Sequence, residues 1–276
     1  MSVLTQEQRR FRESKRTDIM KLYLPLIFCV FLMACQENVT QQEEEVVTVD
    51  NPAQKIIDQC IEKHGGEAYS NLEIAFTFRD RTYKGRRDGG KFTYERLLVQ
   101  EDGTQLLDIL DNQKLVRKQN GVEIALTAKD SSAYANSVNS VFYFAFLPYF
   151  LNDAAAIKTY VGTSNIKGQA YHKIKVTFQQ EGGGKDFEDE FLYWIHRDDY
   201  TMDYLAYNYL TDGGGARFRE AYNIRTIEGI RFADYINYKP EPDSRDVAGF
   251  DAIFEQGKMK ELSRIDTEDI SVNILP

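Results

Sequence analysis

Apolar positions along this chain recur with two periods, and the switch between them lays out the molecule. Ile56, Ile57, Cys60 and Ile61 share one side of a 3.6-residue period. Asn51-Pro52 opens that helix as N-cap and first-turn proline, and Gly65-Gly66 stops it. From Ile74 the period shortens to two: Ile74, Phe76 and Phe78 share a face, and a turn is expected over residues 84–90. Strand-like runs follow at 92–100, 105–110 and 114–119, split by Glu101-Asp102-Gly103 and Asp111-Asn112. Asn120-Gly121 is the clearest hairpin signal, because both central residues of such a turn need positive φ. Residues 122–127 would be its return strand.

The alternation breaks between residues 131 and 151. Ser131 or Ser132 can cap a helix there, and Tyr134, Val138, Val141 and Phe142 share a side. Phe142, Phe146 and Phe150 continue at spacing four until Pro148 kinks or ends the helix. Tyr143, Phe144, Leu147 and Tyr149 fill the rest of its circumference, so this insert must be covered on most sides. Strands resume at 157–164, 170–179, 187–196, 202–210, 216–225 and 230–239. Lys167-Gly168, residues 182–184, Asp198-Asp199, residues 213–215 and Glu228-Gly229 lie between them. A short helix over 247–256 and a last strand over 261–274 complete the reading. A strand plus turn every ten residues or so predicts an antiparallel meander. A sheet this wide curls. The expected fold is therefore mainly β (α+β): a curved antiparallel sheet or open half-barrel of about ten or eleven strands, with an N-terminal helix and the insert in its concave face.

The N-terminal region carries an address. Lys21 precedes an apolar run over residues 22–33, shorter than the about 20 residues that span a bilayer. It closes on Leu32-Met33-Ala34-Cys35, and Gln36, Glu37 and Asn38 follow at once. Leu at the third position before a Cys, with a small residue directly before it, resembles a bacterial lipobox. That resemblance implies cleavage after Ala34, a diacylglyceryl group on the Cys35 sulfur and acyl chains of the palmitate type. Two chains anchor stably where one does not. Residues 1–19, with Arg9, Arg10, Arg12, Lys15 and Arg16 among acids, are unlike the start of a signal. They are expected to be a start-site artefact, with Met20 the true start and 20–34 the signal peptide. Residues 35–50 would be the acylated Cys and a disordered acidic tether, and 51–276 a single domain. No Asp follows Cys35, which by resemblance to enterobacterial sorting points to the outer membrane. Whether the periplasmic or the surface face is reached stays open.

Charge narrows the partners. Of 34 basic and 43 acidic residues, 6 and 3 lie in residues 1–34. The remaining 28 and 40 give a formal charge of −12. Nucleic-acid binding is not expected, since phosphate contacts need clustered Lys and Arg. The 17 Tyr and 17 Phe against one Trp suit strands more than helical bundles. With Cys29 in the signal and Cys35 acylated, only Cys60 remains, so no intramolecular disulfide can form. Its position on the apolar side of the first helix reads as a small buried hydrophobe.

No catalytic constellation is visible. His64, His172 and His196 are isolated, and no Walker loop, G-x-S-x-G or helix-opening G-x-G-x-x-G occurs. Residues 182–184 and 213–215 lie between strands and lack the Lys and Ser/Thr of a phosphate cradle, so they read as hairpin loops. Glu188-Asp189-Glu190 and Asp198-Asp199 read as exposed acids at strand ends. No enzyme, cofactor or metal is expected. The candidate ligand-binding set is Phe142, Phe146, Tyr149 and Phe150 on the insert facing Trp194, Tyr207 and Tyr209 on strands. Two readings of these rings stand: plain core, or an apolar pocket with polar Tyr tips. Arg217 and Arg219, with Glu220 on the opposite face, either clamp an anionic head group or make cross-strand ion pairs.

His64-Gly65-Gly66, Tyr193-Trp194-Ile195, residues 217–223 (RFREAYN) and Gly229-Ile230-Arg231-Phe232 carry a further resemblance, covering residues 52–274. The chain is similar to an uncharacterised family of Bacteroidota envelope lipoproteins. In architecture alone it resembles the open half-barrel of the lipoprotein carriers LolA and LolB and the mycobacterial lipid-binding lipoproteins. The resemblance implies a membrane-anchored, non-enzymatic protein that binds a lipid or other hydrophobic small molecule, with no protein partner identified. The alternative is a structural or partner-binding lipoprotein with a filled core.

Overall fold

Two sheets of seven antiparallel strands make up most of the computed structural model, which describes residues 51–179, 189–210 and 213–276. The expected signal, Cys35, the tether, residues 182–184 and Glu188 lie outside the described residues. Val49–Pro276 forms one compact unit. It opens with α1 (Pro52–His64): the Asn51 side chain accepts the Ala53 N–H at 3.1 Å, and Gly65 at φ 143° ends the helix, as its sequence requires.

The first sheet takes β1 (Leu72–Phe78), β2 (Arg81–Asp88), β3 (Lys91–Val99), β4 (Gln105–Asp111), β5 (Leu115–Gln119) and β6 (Val122–Ile124) in sequential order. Residues 84–90, expected as a turn, are mostly strand. In β2 the inner positions Tyr83 and Gly85 are buried while Lys84 and Arg86 face water, and the turn falls at Gly89-Gly90, both at positive φ. Asn120-Gly121 turns as expected, with both residues at positive φ.

The insert forms α2 (Ala128–Ala145), capped not by Ser131 or Ser132 but by Thr127, whose hydroxyl accepts the Asp130 N–H at 3.1 Å. A short helical turn, Tyr149–Asn152, follows Pro148. The second sheet then runs through β7 (Ala156–Ile166), β8 (Gln169–Phe178), β9 (Phe191–His196), β10 (Met202–Tyr209), β11 (Gly215–Ile227) and β12 (Ile230–Pro240). A short helix, α3 (Phe250–Glu255), and β13 (Met259–Ile265) complete it.

The last expected strand is two strands. β13 pairs with β12, whereas β14 (Glu268–Ile274) pairs with β1 in the first sheet. The chain changes sheet at Asp266-Thr267. There an Asp234 carboxylate oxygen accepts the Thr267 N–H at 2.9 Å, and Arg225 donates to both Asp234 and the Thr267 carbonyl. The unexpected β2 and the split at this corner bring the count to fourteen among the described residues, and the two sheets stay open. The edge strands are β14 and β6 in the first sheet and β13 and β7 in the second, and α2 lies in the connection from β6 to β7.

Burial follows from these placements. Phe142 and Phe146 pack onto the inner face of the first sheet, against Ile74, Phe76, Tyr83 and Tyr94. Ile57 and Cys60 of α1 cover the inner face of the second, with Ile174, Tyr193, Ile195 and Leu205. A third group, with Trp194, Tyr204 and Phe218, is sealed by Phe250 on the other face of β9 to β11. Asp108, almost fully buried, accepts from both Arg96 (2.7 Å) and Arg117 (2.6 Å). Arg96 also donates to Ser137 on α2 at 2.6 Å, and Arg117 stacks on Tyr134, so charge as well as grease holds the insert down.

Candidate functional site

Where the two sheets meet beneath α2, the packing leaves a hollow of about 230 Å³. Phe144 and Val141 of α2 form one wall, Phe76 and Phe78 at the end of β1 a second, and Phe232 and Tyr235 of β12 a third. His64 lines it from the end of α1, and Arg219 and Arg231 line it from β11 and β12. β-Strand alternation explains the last placements. On β11 Arg217 and Arg219 point inward while Ala216 and Phe218 join the outer group with Trp194. On β12 Arg231, Ala233 and Tyr235 repeat every second residue along the hollow.

Arg219 is only 9 % exposed. Its Nη2 donates to the Tyr207 hydroxyl at 2.9 Å, and its guanidinium lies 4.4 Å from the Phe144 ring centre and 5.1 Å from that of Tyr207. Among the described residues no carboxylate pairs with it, and its Nε–H is buried without an acceptor. Arg231 differs: Nη2 pairs with Asp203 at 2.9 Å, while Nη1 is buried and unpartnered. The His64 Nε2 accepts the Met202 N–H at 3.0 Å, which leaves the ring proton on Nδ1, also buried without an acceptor. Burial, reinforced by Arg231 and Lys63, pushes the His64 pKa down to about 3, so the ring is neutral. Burial pushes the Tyr235 hydroxyl up to about 12, against the pull of Arg231 and Arg219. Burial also raises the Cys60 thiol far above its ordinary range, so it offers no nucleophile. Among the described residues no group of three or more His, Cys, Asp or Glu is placed to hold a metal ion.

The expected constellation assembles only in part. Arg219 lines the hollow, and Tyr207 stands next to it, 6.0 Å from Phe144 between ring centres. Phe142 and Phe146 are fully buried core; Phe142 stacks on Tyr94 at 4.0 Å. Tyr149 stacks on Tyr69 at 5.2 Å and receives a hydrogen bond from Arg87, while Phe150 stacks on Tyr143 at 5.5 Å. Tyr209 lies 6.2 Å from Tyr207 under the Arg217 guanidinium, and Arg217 donates to the Ala216 carbonyl at 2.7 Å; neither lines the hollow. Trp194 corrects the expectation outright. It packs 5.4 Å from Phe218 on the opposite face of β9, because Tyr193 and Ile195 take the inner positions. Neither Arg217 nor Arg219 makes the expected cross-strand ion pair among the described residues.

Of the lining residues only Arg219 belongs to the expected set; His64, Phe144, Arg231 and Tyr235 are among those the sequence does not assign to a site. The signal for two of them was present: alternation counted from the Glu228-Gly229 turn puts Arg231 and Tyr235 on one face.

Comparison with solved structures gives similar chains at low identity. A LolA superfamily protein from Nitrosomonas europaea is 12 % identical at TM-score 0.48, with 81 % of this chain and 94 % of that one covered. A DUF1329 family protein from Desulfovibrio piger is 12 % identical at TM-score 0.45, covering 80 % and 92 %. No curated protein matches. Residues 21–267 match one family model over most of the chain, and the protein belongs to that family, described as Family of unknown function (DUF6503).

Proposed function

We propose that this chain is an envelope lipoprotein, anchored in the membrane through acylated Cys35, that holds a small hydrophobic ligand beneath α2 and catalyses no reaction. The hollow at the seam carries this reading: aromatic walls from α2 and both sheets enclose space next to a few buried polar groups, the usual make-up of a ligand site. Its 230 Å³ lies below the roughly 300–1,000 Å³ of drug-sized pockets, so the ligand is small or only one end of a longer molecule enters. The outer membrane is the proposed location, on the strength of the residues around Cys35.

A second reading has its own support. Phe142 and Phe146, both fully buried, fill the concavity of the first sheet, as a purely structural or partner-binding protein would require. Native mass spectrometry of Val49–Pro276, which contains all three hydrophobic groups described above, separates the two. Retained small molecules released on denaturation are expected; repeated recovery of empty, stable protein favours the filled-core reading. Labelling of the full chain with a palmitate analogue, lost in Cys35→Ser, tests the anchor.

A further inference from the structure

Three N–H groups on residues that line the hollow are buried without a protein acceptor: Arg219 Nε, Arg231 Nη1 and His64 Nδ1. All are donors. Among the lining residues described, no acceptor is left buried and unpartnered to balance them. A buried donor without a partner destabilises the fold, and a guanidinium kept out of water without a counter-ion does so more strongly. The Phe144 and Tyr207 rings beside Arg219 offset part of that cost.

The charges also add up simply. Asp203 neutralises Arg231, while Arg79 lies exposed at the rim over the Phe78 ring; Arg219 is thus the buried cation of the lining that stands without a carboxylate among the described residues. We propose that the hollow takes an amphiphile with a single carboxylate head, which accepts from Arg219, with Arg231 and His64 as further donors, while its apolar part lies against Phe144 and Phe232. A carboxylate matches the guanidinium fork and the single buried charge of Arg219; a doubly charged phosphate monoester would bring in a second charge that only the exposed Arg79 is left to meet. This rests on the ligand-binding reading above.

The test compares octanoate, octanol and octyl phosphate by isothermal titration calorimetry on Val49–Pro276. Octanoate is expected to bind, with octanol weaker by about tenfold, the loss of a charge-assisted hydrogen bond. Arg219→Gln should remove that preference, Arg219→Lys should keep part of it, and Arg217→Gln, whose residue does not line the hollow, should leave it unchanged. Equal binding of octanoate and octanol, or tighter binding of octyl phosphate, overturns the carboxylate head but leaves the hydrophobic site standing. If no probe binds and the protein is recovered empty, the site itself falls. Should Arg219→Gln fail to fold, the three-probe comparison on the unaltered chain decides alone.

Discussion

His64 shows how one side chain serves both packing and charge. It is 1 % exposed, its Nε2 holds the Met202 N–H, and it lines the hollow near Arg231. Its pKa falls from an ordinary 6.5 to about 3, so between those values the unfolded chain takes up a proton that the folded protein refuses. The contribution of His64 to stability is therefore complete above pH 6.5, declines as pH falls, and is lost near pH 3. At pH 5 the loss is about 2 kcal/mol, from about 1.4 kcal/mol per pH unit. His64→Gln keeps an acceptor for Met202 but cannot titrate. In urea unfolding at pH 7 and pH 5, the variant should lose less stability than the parent by about that amount. Equal losses in the two proteins would show that His64 is not the group responsible.

At the scale of elements, α2 is docked by shape. A Cβ added to Gly85 would lie 2.7 Å from the Phe142 ring and 3.1 Å from Ile74, so this position in β2 is empty because the insert occupies it. Gly85→Ala should cost about 1–3 kcal/mol by overpacking, and Phe142→Ala about 3–5 kcal/mol by leaving a cavity. The two should not add: with Phe142 truncated, the alanine methyl has room, and a double-mutant cycle in denaturant should show coupling. Strict additivity would mean the close approach is not what excludes a side chain at residue 85. The sequence displayed much of this architecture. Asn51-Pro52, Asn120-Gly121 and the spacing-four rings of 142–150 each point to what forms there. It hid β2, because Gly85 carries no side chain to mark the inner face and Arg87 sits where an apolar residue would signal a strand. It also hid the inward parity of β9, where Phe191–Ile195 are buried on both faces and no alternation remains to be read. Trp194 was therefore assigned to the wrong side. The break at Asp266-Thr267 is held by distant Arg225 and Asp234, which no local pattern reports.

For the whole molecule, the insert is the tie between the two sheets as well as the roof of the hollow. Neighbouring residues in one segment pack into different groups: Phe146 against the first sheet, Leu147 and Leu151 against α1 and the second. Tyr149 touches both and bonds Ser70 and Arg87. Stability placed on one side of this segment should thus be felt on the other. Leu151→Ala, at a fully buried site facing the second sheet, should cost about 2–5 kcal/mol. The consequence to measure is where that cost appears. Native-state hydrogen exchange should show amides of β3 to β5 losing protection along with those of β8 to β10, within one cooperative unfolding unit. If only β8 to β10 respond while β3 to β5 keep their protection, the sheets unfold independently. In that case α2 would be a roof resting on one half, free to lift from the other without disturbing its core.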